Sequence, residues 1–267
     1  MKFSIVTISY NQAQFLEQAI RSVIEQDYPD VEYIVVDPGS TDGSREIIER
    51  YWNRIDKIIF EPDNGPADGL NKGFAQAIGD ILGFLNSDDI LLPGALTQVA
   101  KAFDMSPQTD VISGHGIVVD ANGKEIRRVY SDSFNKIMAG YCACILVQPS
   151  TFFRSRIFNR IGGFNIENRS NWDGELFVDM SLHQARFKTI SCMLSQYRVH
   201  SDSITGSARL CELHALHRAR MFEKVFRRSQ RWGDRVMRFV LIYIRKILNP
   251  MDTIQRILRG SIFGAAK

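Results

Sequence analysis

Strand and helix patterns alternate along the first hundred residues. Short apolar runs rich in β-branched residues predict buried strands, and they fall at residues 3–9, 31–37, 56–61 and 80–86. Segments with helical spacing of apolar residues, or with the capping residues of helices, fall at residues 12–26, 40–52, 67–78 and 93–103. Regular strand–helix units of this kind predict an α/β fold with a mostly parallel central sheet flanked by helices.

The pattern changes after residue 110. Residues 110–130 are predicted to form two strands, because Asn122-Gly123 between two β-rich runs is a strong hairpin signal. The following segments are predicted to be extended at 144–154 and 187–200, and helical at 155–164, 170–185 and from Ala208 onward. We therefore predict an α/β domain over residues 1–206, with halves at 1–110 and 111–206, and a helical extension over residues 207–267.

Polar residues follow each of the four N-terminal strands. In an open α/β sheet, ligands bind outside the carboxyl ends of the strands. The segments that this rule brings together are residues 7–11, 37–42, 61–64 and 86–89. The sequence thus predicts one ligand crevice built from four separate strand ends.

Asp88 and Asp89 are adjacent carboxylates at the end of the fourth of these strands. Their mutual repulsion would be offset by a hard divalent cation, and Mg²⁺ typically takes one or two protein carboxylates together with substrate phosphates. The pair could instead cap a helix that begins near Pro93, where proline suits the first turn. The position opposite three other polar strand ends favours the metal.

Composition and charge place the chain among ordinary globular proteins and reveal an uneven charge distribution. The 267 residues are 45% apolar and 24% charged. Residues 207–267 carry 14 Lys and Arg against 4 Asp and Glu, a net charge of +10, so residues 1–206 have a net charge of −7. We see no signal peptide, no membrane-spanning segment and no disulfide or zinc spacing among the four cysteines, and we expect a cytoplasmic protein with reduced thiols.

Residues 235–249 form an amphipathic pattern in the basic extension. On a helical wheel, Arg235, Arg238, Arg245 and Lys246 share one side with Ile242, whereas the other side carries Val236, Val240, Tyr243, Ile244 and Ile247. Such a helix could bind an anionic membrane surface, which would place residues 233–267 at the inner face of the cytoplasmic membrane. It could equally pack its apolar side on the α/β domain. We expect no nucleic-acid partner, because no recognised binding motif accompanies the charge.

Five motifs in order resemble the family 2 glycosyltransferases of GT-A fold. They are "SIVTISYNQ" continuing to "VVDPGSTDGS", "DNGPADGLNKG" continuing to "FLNSDD", "QPSTFFRSRIFNRIGGFN", "WDGELF" and "YRVHSDSIT". The resemblance covers roughly residues 3–205. It implies a nucleotide-sugar donor, expected to be a UDP-sugar, and an inverting transfer to a hydroxyl of a glycan or lipid-linked acceptor in cell-surface polysaccharide synthesis.

The resemblance also implies the residues that bind the donor. Thr7, Ser9, Tyr10 and Asn11 match the nucleoside-binding segment, and Asp37 is expected to hydrogen-bond the base or ribose. The portion that closes over the nucleotide is matched by Asp68, Asn71 and Lys72. "NSDD" matches the DXD-type motif, so Asp89 is expected to bind Mg²⁺ or Mn²⁺, Asp88 the metal shell or ribose, and Asn86 to lie beside them.

The same resemblance assigns the general base to Asp173, with Glu175 as a second choice. An inverting transfer needs a base that takes the proton from the attacking hydroxyl. Asp173 could also simply be a carboxylate in a first helical turn, where the helix dipole favours it. His200 is expected near the diphosphate or the metal, and Arg198 is a comparable phosphate candidate.

Two other functions stay open from sequence. A nucleotidyltransferase also uses an α/β fold with metal-bound carboxylates, but residues 7–14 contain no Gly, Lys or Arg for a phosphate loop. A non-catalytic subunit that only binds nucleotide sugars would have lost the metal or base carboxylates. Asp88, Asp89 and Asp173 are all present, which favours the enzyme.

Overall fold

The computed structural model describes residues 1–200 and 211–260, with nine strands in one sheet. The strands are β1 (Phe3–Ile8), β2 (Val31–Val36), β3 (Lys57–Ile59), β4 (Ile81–Asn86), β5 (Ile90–Leu91), β6 (Val111–Val119), β7 (Glu125–Val129), β8 (Thr151–Arg154) and β9 (Phe187–Arg198). Their order is β3-β2-β1-β4-β8-β6-β9-β5, and β7 pairs with β6. The predicted α/β fold class is confirmed.

Helices cover both faces of this sheet and form the C-terminal part of the chain. They are α1 (Ala13–Ile24), α2 (Ser44–Arg50), α3 (Pro66–Ala75), α4 (Ala95–Asp104), α5 (Lys136–Gly140), α6 (Ser155–Ile161), α7 (Trp172–Leu182), α8 (Cys211–Phe226), α9 (Trp232–Leu248) and α10 (Pro250–Arg259). Helix α4 begins at Ala95, after Gly94 in the left-handed conformation, and no side chain caps it. The prediction of Pro93 in its first turn and the capping role for the Asp pair are therefore wrong.

The first half of the sheet is parallel and buried on both faces. Strands β3, β2, β1 and β4 pair in parallel register. Successive residues of β1 enter opposite cores: Ile5 packs in the cluster with Leu16 of α1, and Val6 packs in the cluster with Leu70 of α3. Burial on two faces explains why these strands are continuous apolar runs.

The second half of the sheet is mixed. Strand β8 is antiparallel to both β4 and β6, whereas β6 and β9 are parallel. The predicted hairpin is β6 and β7, and Gly123 in its turn has φ of 82°. The segment predicted to be extended over residues 144–154 contains a 3-10 turn at Gln148–Ser150 before β8. The mostly parallel arrangement thus holds for residues 1–86.

Helix α9 packs on the domain with its basic side. Arg245 is buried, and its guanidinium contacts Asp132 at 2.6 Å and Asp252 of α10 at 2.8 Å. The apolar side of the two helices is exposed instead: Phe239 (61%), Tyr243 (64%), Ile247 (78%), Leu248 (70%), Ile257 (77%) and Leu258 (72%). The alternative in which α9 packs its apolar side on the α/β domain is therefore wrong. Within the described part of the chain, no helix is long and apolar enough to cross a membrane.

Candidate active site

A cavity of about 760 Å³ opens along the sheet. Its first end lies beyond the carboxyl ends of β1 to β4 and is lined by Ser9, Tyr10, Pro38, Gly39, Asp63, Asn86, Asp88 and Asp89. Its second end lies over β6, β7 and β9. The predicted crevice of four convergent strand ends is confirmed, and its volume is in the range of a nucleotide or cofactor site.

Asp89 follows β4 and is almost fully buried. Its Oδ1 accepts the backbone N–H of Arg198 at 2.9 Å, and the side-chain nitrogen of Asn86 donates to its Oδ2 at 3.3 Å. Burial raises the pKa of Asp89 well above its usual range, and the neighbouring charge of Asp88 raises it further. A cation beside the pair would favour the ionised carboxylates.

Asp88 is the more exposed carboxylate of the pair, and it meets His200. The Nε2 atom of His200 lies 3.1 Å from Oδ2 of Asp88. The His200 ring also lies 4.9 Å from the ring of Phe15 on α1. His200, which was expected near the metal or the diphosphate, thus lies beside the Asp pair. Residues 201–205 of the same motif lie outside the described residues.

Arg198 holds the turn that carries the Asp pair. Its Nε donates to the carbonyl of Asp88 at 2.9 Å, and its Nη2 donates to Oε1 of Gln18 at 2.9 Å. Its Nη1 donates to the carbonyls of Asp120 and Ala121. Each nitrogen has a protein acceptor, which gives Arg198 a positioning role; Arg198 also lines the cavity, and its phosphate contact stays a prediction.

The end of β1 brings two of its predicted residues to the cavity. Ser9 and Tyr10 line it, and among the described residues the buried hydroxyl of Ser9 has no hydrogen-bond partner. Thr7 does not line the cavity. It is fully buried, and its Oγ1 accepts from the hydroxyl of Tyr33 at 3.0 Å.

Asn11 and Asp37 shape the loop after β2 and do not line the cavity. Oδ1 of Asp37 accepts the N–H groups of Gly39 and Ser40 at 3.0 and 2.8 Å, and its Oδ2 accepts the Ser40 hydroxyl at 2.5 Å. Asn11 accepts the N–H of Thr41 at 2.9 Å. Asp37 is fully buried and holds the loop that brings Gly39 to the cavity, and its expected contact with the base or ribose stays a prediction.

In "DNGPADGLNKG" the residues that line the cavity differ from those predicted to bind the donor. Asp63, Gly65 and Pro66 line the cavity, and Gly65 has φ of 109°, which side-chain-bearing residues rarely adopt. The predicted residues instead hold the segment in place. Asn71 exchanges two hydrogen bonds with the backbone of Phe164, Asp68 accepts the N–H of Asn64 at 2.8 Å, and Lys72 donates to the carbonyl of Pro62.

Asp173 lies in the first turn of α7 and lines the cavity, as does Trp172. Burial raises the pKa of its carboxyl, and the N–H groups of Gly174 and of Asp173 itself oppose that shift. No side chain of residues 1–200 or 215–260 is seen to hydrogen-bond or ion-pair with it. Asp173 is therefore a partly buried carboxylate whose basicity is raised, as a general base requires.

Glu175 is two residues further along α7 and has a different environment. Its Oε1 contacts Nζ of Lys224 on α8 at 2.6 Å and accepts from Asn165 at 3.0 Å, while its Oε2 accepts from Asn168 at 2.6 Å. Burial alone would raise the pKa of Glu175, but these hydrogen bonds, led by Lys224, bring it below its usual value. Glu175 is thus a structural carboxylate that fixes α7 against α8, and it does not line the cavity.

The sequence profile described as Glycosyl transferase family 2 matches residues 4–168, more than half of the chain. The chain belongs to the family 2 glycosyltransferases. Among curated relatives, an uncharacterised glycosyltransferase of Nostoc is 28% identical over 218 residues, which cover 78% of this chain and 68% of the relative.

Solved glycosyltransferase structures share the fold. Staphylococcus aureus TarS (residues 1–349), in complex with UDP-GlcNAc, aligns with a TM-score of 0.68 at 21% identity, covering 98% of this chain and 77% of that one. The mannosyltransferase PcManGT of Pyrobaculum calidifontis, in complex with GDP-Man and Mn²⁺, aligns with a TM-score of 0.65 at 20% identity, covering 99% and 77%. This likeness confirms the GT-A fold.

The carboxylates of this glycosyltransferase fit a divalent metal that shares its ligands with a substrate. In the described ranges no group of three or more His, Cys, Asp or Glu side chains is arranged to hold a metal ion alone. Asp88 and Asp89 supply two neighbouring carboxylates that line the cavity, and His200 contacts Asp88. Mg²⁺ and Mn²⁺ accept such a partial set when phosphate oxygens complete it.

The cavity of this glycosyltransferase also contains residues that sequence reasoning missed. They are Gln148, whose amide donates to the carbonyl of Phe84, Ser170, which hydrogen-bonds to buried His217, and the two arginines Arg127 and Arg256. For Arg127 a signal was present: alternation along β7 places it on the same face as Val129. Gln148 begins the motif "QPSTFFRSRIFNRIGGFN", although no role was assigned to it, whereas Ser170 and Arg256 lie outside the quoted motifs.

Proposed function

We propose that the protein is a metal-dependent inverting glycosyltransferase that uses a UDP-sugar and Asp173 as general base. The observation that carries the proposal is the placement of Asp173 in the same cavity as the Asp88–Asp89 pair. The raised pKa of Asp173 and the structural engagement of Glu175 support Asp173 as the base. The acceptor is a hydroxyl of a glycan or lipid-linked glycan in cell-surface polysaccharide synthesis.

The chemistry follows from this arrangement. The carboxylate of Asp173 takes the proton of the acceptor hydroxyl as its oxygen attacks the anomeric carbon of the donor sugar. The attack comes from the face opposite the diphosphate, the bond from that carbon to the diphosphate breaks, and the nucleoside diphosphate leaves with the electron pair; attack from the opposite face inverts the configuration. A metal ion held by Asp89 and Asp88 would supply positive charge for the leaving diphosphate.

The donor-binding roles divide into contact and positioning. We assign direct contact with the nucleotide sugar to Ser9, Tyr10, Asn86 and Asp88, and a place near the diphosphate to His200. We assign positioning of the donor loops to Thr7, Asn11, Asp37, Asp68, Asn71 and Lys72, because their hydrogen bonds run to the protein's own loops.

A thermal-shift screen tests the proposed donor and metal. Ligands that bind only the folded state raise its melting temperature. We expect a UDP-sugar to raise the melting temperature only together with Mn²⁺ or Mg²⁺. In Asp89→Ala we expect this metal-dependent shift to be lost. No shift with any nucleotide sugar, or an equal shift in the presence of EDTA, would contradict the proposal.

We further propose that the exposed apolar side of α9 and α10 binds an anionic membrane surface. Apolar side chains such as Ile247, Leu248, Ile257 and Leu258 are 70–78% exposed, and soluble surfaces rarely display such clusters without a partner. Exposed basic residues lie on the same helices, at Arg231, Arg235, Lys246 and Arg259. Apolar insertion with basic contacts is how interfacial helices bind anionic lipids, and it would place the enzyme on the inner face of the cytoplasmic membrane.

Flotation with liposomes tests this placement. We expect the wild-type protein to float with vesicles of phosphatidylglycerol, and the triple variant Ile247→Ser, Ile257→Ser, Leu258→Ser to stay in the soluble fraction. Ile78→Ser is the matched control, since Ile78 is 69% exposed and lies after α3. Equal flotation of the wild type and the triple variant would overturn the proposal, as would an apolar face that is covered by a second copy in solution.

A further inference from the structure

The second end of the cavity differs in chemistry from the strand-end side. Its wall on the sheet is formed by Val118, Val129 and Tyr197 on one face of β6, β7 and β9. Two arginines, Arg127 of β7 and Arg256 of α10, also line this end. Positive charge therefore lies in an apolar part of the cavity, away from the Asp88–Asp89 pair.

Arg127 is fully buried, and its guanidinium lacks hydrogen-bond partners. Among the described residues none accepts a hydrogen bond from its Nε, Nη1 or Nη2. The nearest carboxylate oxygen, Oδ1 of Asp252, lies 3.6 Å from Nη1, which is an ion pair without a hydrogen bond. Arginine does not give up its proton in proteins, so burial in this state is costly unless a ligand accepts from it.

The charges around Arg127 do not balance. Arg245 and Arg256 share the two carboxylates of this region, Asp132 and Asp252, with contacts of 2.6 to 2.8 Å. Three guanidinium groups thus face two carboxylates in a largely buried cluster. Of the three, Arg127 is the guanidinium without a hydrogen-bonded carboxylate among the described residues, and it lines the cavity.

We propose that Arg127 and Arg256 form an anion-binding subsite for a phosphate or diphosphate group of the acceptor. The guanidinium of Arg127 supplies N–H donors without acceptors, and Arg256, whose Nε donates to Asp252 at 2.7 Å, supplies its remaining donors from α10. Arginine binds phosphate oxygens through paired N–H groups. That the anion belongs to the acceptor rests on the proposed transferase function, whereas the binding of the anion does not.

The position of this subsite fits an acceptor. Arg127 pairs with Val118 on β6, and Val118 pairs with Tyr197 on β9, next to Arg198, whose N–H binds Asp89. Two strand spacings of about 5 Å each therefore separate Arg127 from the strand that holds the proposed metal site. The subsite and the proposed metal site thus lie on different strands of the same cavity.

Helix α10 connects the subsite to the exposed apolar side. Arg256 lines the cavity, while Ile257 and Leu258, the next residues on the same helix, are 77% and 72% exposed. An acceptor whose phosphate is linked to a lipid would therefore contact Arg256 through its phosphate and the exposed apolar residues of α10 through its lipid. A phosphate within a water-soluble glycan would use the arginines alone.

Isothermal titration calorimetry on the full chain tests the subsite. The probes are inorganic pyrophosphate and farnesyl diphosphate, in EDTA and without nucleotide sugar, so that the proposed metal-dependent donor site does not contribute. We expect Arg127→Met to weaken binding of both probes at least tenfold and Arg256→Gln about fivefold. The matched control is Arg128→Gln, next to Arg127 on β7 with a half-exposed side chain, and we expect its affinities within twofold of the wild type.

Thermal melting of the same variants separates binding from a purely structural role. Replacing an uncompensated buried charge by an apolar residue of similar size is neutral or stabilising, so Arg127→Met should melt at the wild-type temperature or above. Should it fail to fold, Arg256→Gln gives the same test of binding. Affinities at least tenfold higher for farnesyl diphosphate than for pyrophosphate indicate a lipid-linked phosphate, and equal affinities indicate a soluble one.

Two results overturn the subsite: no binding of either probe to the wild type, or full binding that persists in Arg127→Met and Arg256→Gln. Because the titration contains neither donor nor metal, its result is independent of transferase activity. If the probes bind in an arginine-dependent way but the protein transfers no sugar, the subsite is supported and the proposed function is rejected.

Discussion

The two ends of the cavity hold their charged groups in opposite ways. At the end beyond β1 to β4, Asp37 and Asp89 are buried, and their carboxylates accept hydrogen bonds from neighbouring backbone and side chains. At the end over β6, β7 and β9, Arg127 is buried without a single hydrogen bond to the described residues. The first end is preorganised by the protein itself, whereas the second retains donors for a ligand.

This difference teaches which residues bind and which position. A carboxylate that is already satisfied by its own loop, such as Asp37, fixes the shape of that loop and does not reach the ligand. A group without protein partners that lines the cavity, such as Arg127 or the hydroxyl of Ser9, is available for contact. Matching a motif by position does not distinguish these two cases.

The Asp pair should give the largest effect on activity. We expect Asp88→Asn and Asp89→Asn each to lower the transfer rate by about 10³-fold, because they remove charge that holds the metal at the leaving diphosphate. Asp104→Asn is the control, since Asp104 is exposed at the end of α4 and does not line the cavity, and it should retain activity within about tenfold. Initial rates with saturating Mn²⁺ measure this, and full activity in Asp89→Asn would reject the metal role.

The next largest effect should be a difference in protein stability between variants of the two α7 carboxylates, Glu175 and Asp173. Glu175→Gln breaks a buried contact with Lys224 and should lower the free energy of unfolding by about 2 to 3 kcal/mol. Asp173→Asn should not lower it at pH 7, because the raised pKa of Asp173 means that folding disfavours its ionised form. Urea unfolding of both variants measures the difference, and an equal loss in each would contradict the two environments described.

The pH dependence of transfer should follow Asp173. The base acts when ionised and its pKa is raised by burial, so kcat/KM should fall tenfold per pH unit below that raised pKa and reach a plateau above it. The midpoint should lie above the usual aspartate value of about 3.9. A profile that stays flat down to pH 4, measured where the protein is folded, would indicate another base.

The smallest effects are expected for variants of Ser9 and Thr7, which should alter donor affinity and protein stability, respectively. Ser9→Ala removes a cavity hydroxyl without a protein partner and should weaken donor binding about threefold to tenfold. Thr7→Val removes a buried acceptor of the Tyr33 hydroxyl and should cost about 1 kcal/mol of stability while leaving donor affinity unchanged. Calorimetric titration with UDP and thermal melting test the pair, and weaker donor binding in Thr7→Val alone would reverse our assignment.

The sequence predicted the first end of the cavity far better than the second. Strand ends such as Ser9-Tyr10 and Asn86 to Asp89 are contiguous in the chain and follow regular apolar runs, so their convergence follows from the α/β pattern alone. The choice of Asp173 over Glu175 as the base stays a prediction, and only the structure shows that Lys224 from α8 engages Glu175. Such a contact joins segments about fifty residues apart and leaves no local pattern.

The second end had no comparable signal because its residues come from a hairpin, a loop and a C-terminal helix. Arg256 reaches the cavity only because α10 packs on β7, through contacts such as Gln255 with the N–H of Arg128 at 3.3 Å. The wheel of α9 correctly separated a basic from an apolar side, but composition alone could not decide which side packs inward. The carboxylates Asp132 and Asp252 decide it by pairing with Arg245.

The most direct test of the central claim measures donor affinity and single-turnover transfer on the same Asp173→Asn sample, with Glu175→Gln as its partner on α7. The account predicts that Asp173→Asn binds the nucleotide sugar within twofold of the wild type and loses transfer by about 10² to 10⁴-fold, whereas Glu175→Gln, once folded, keeps most of its transfer rate. Transfer at the wild-type rate in Asp173→Asn would contradict the account, and so would its loss in Glu175→Gln alone.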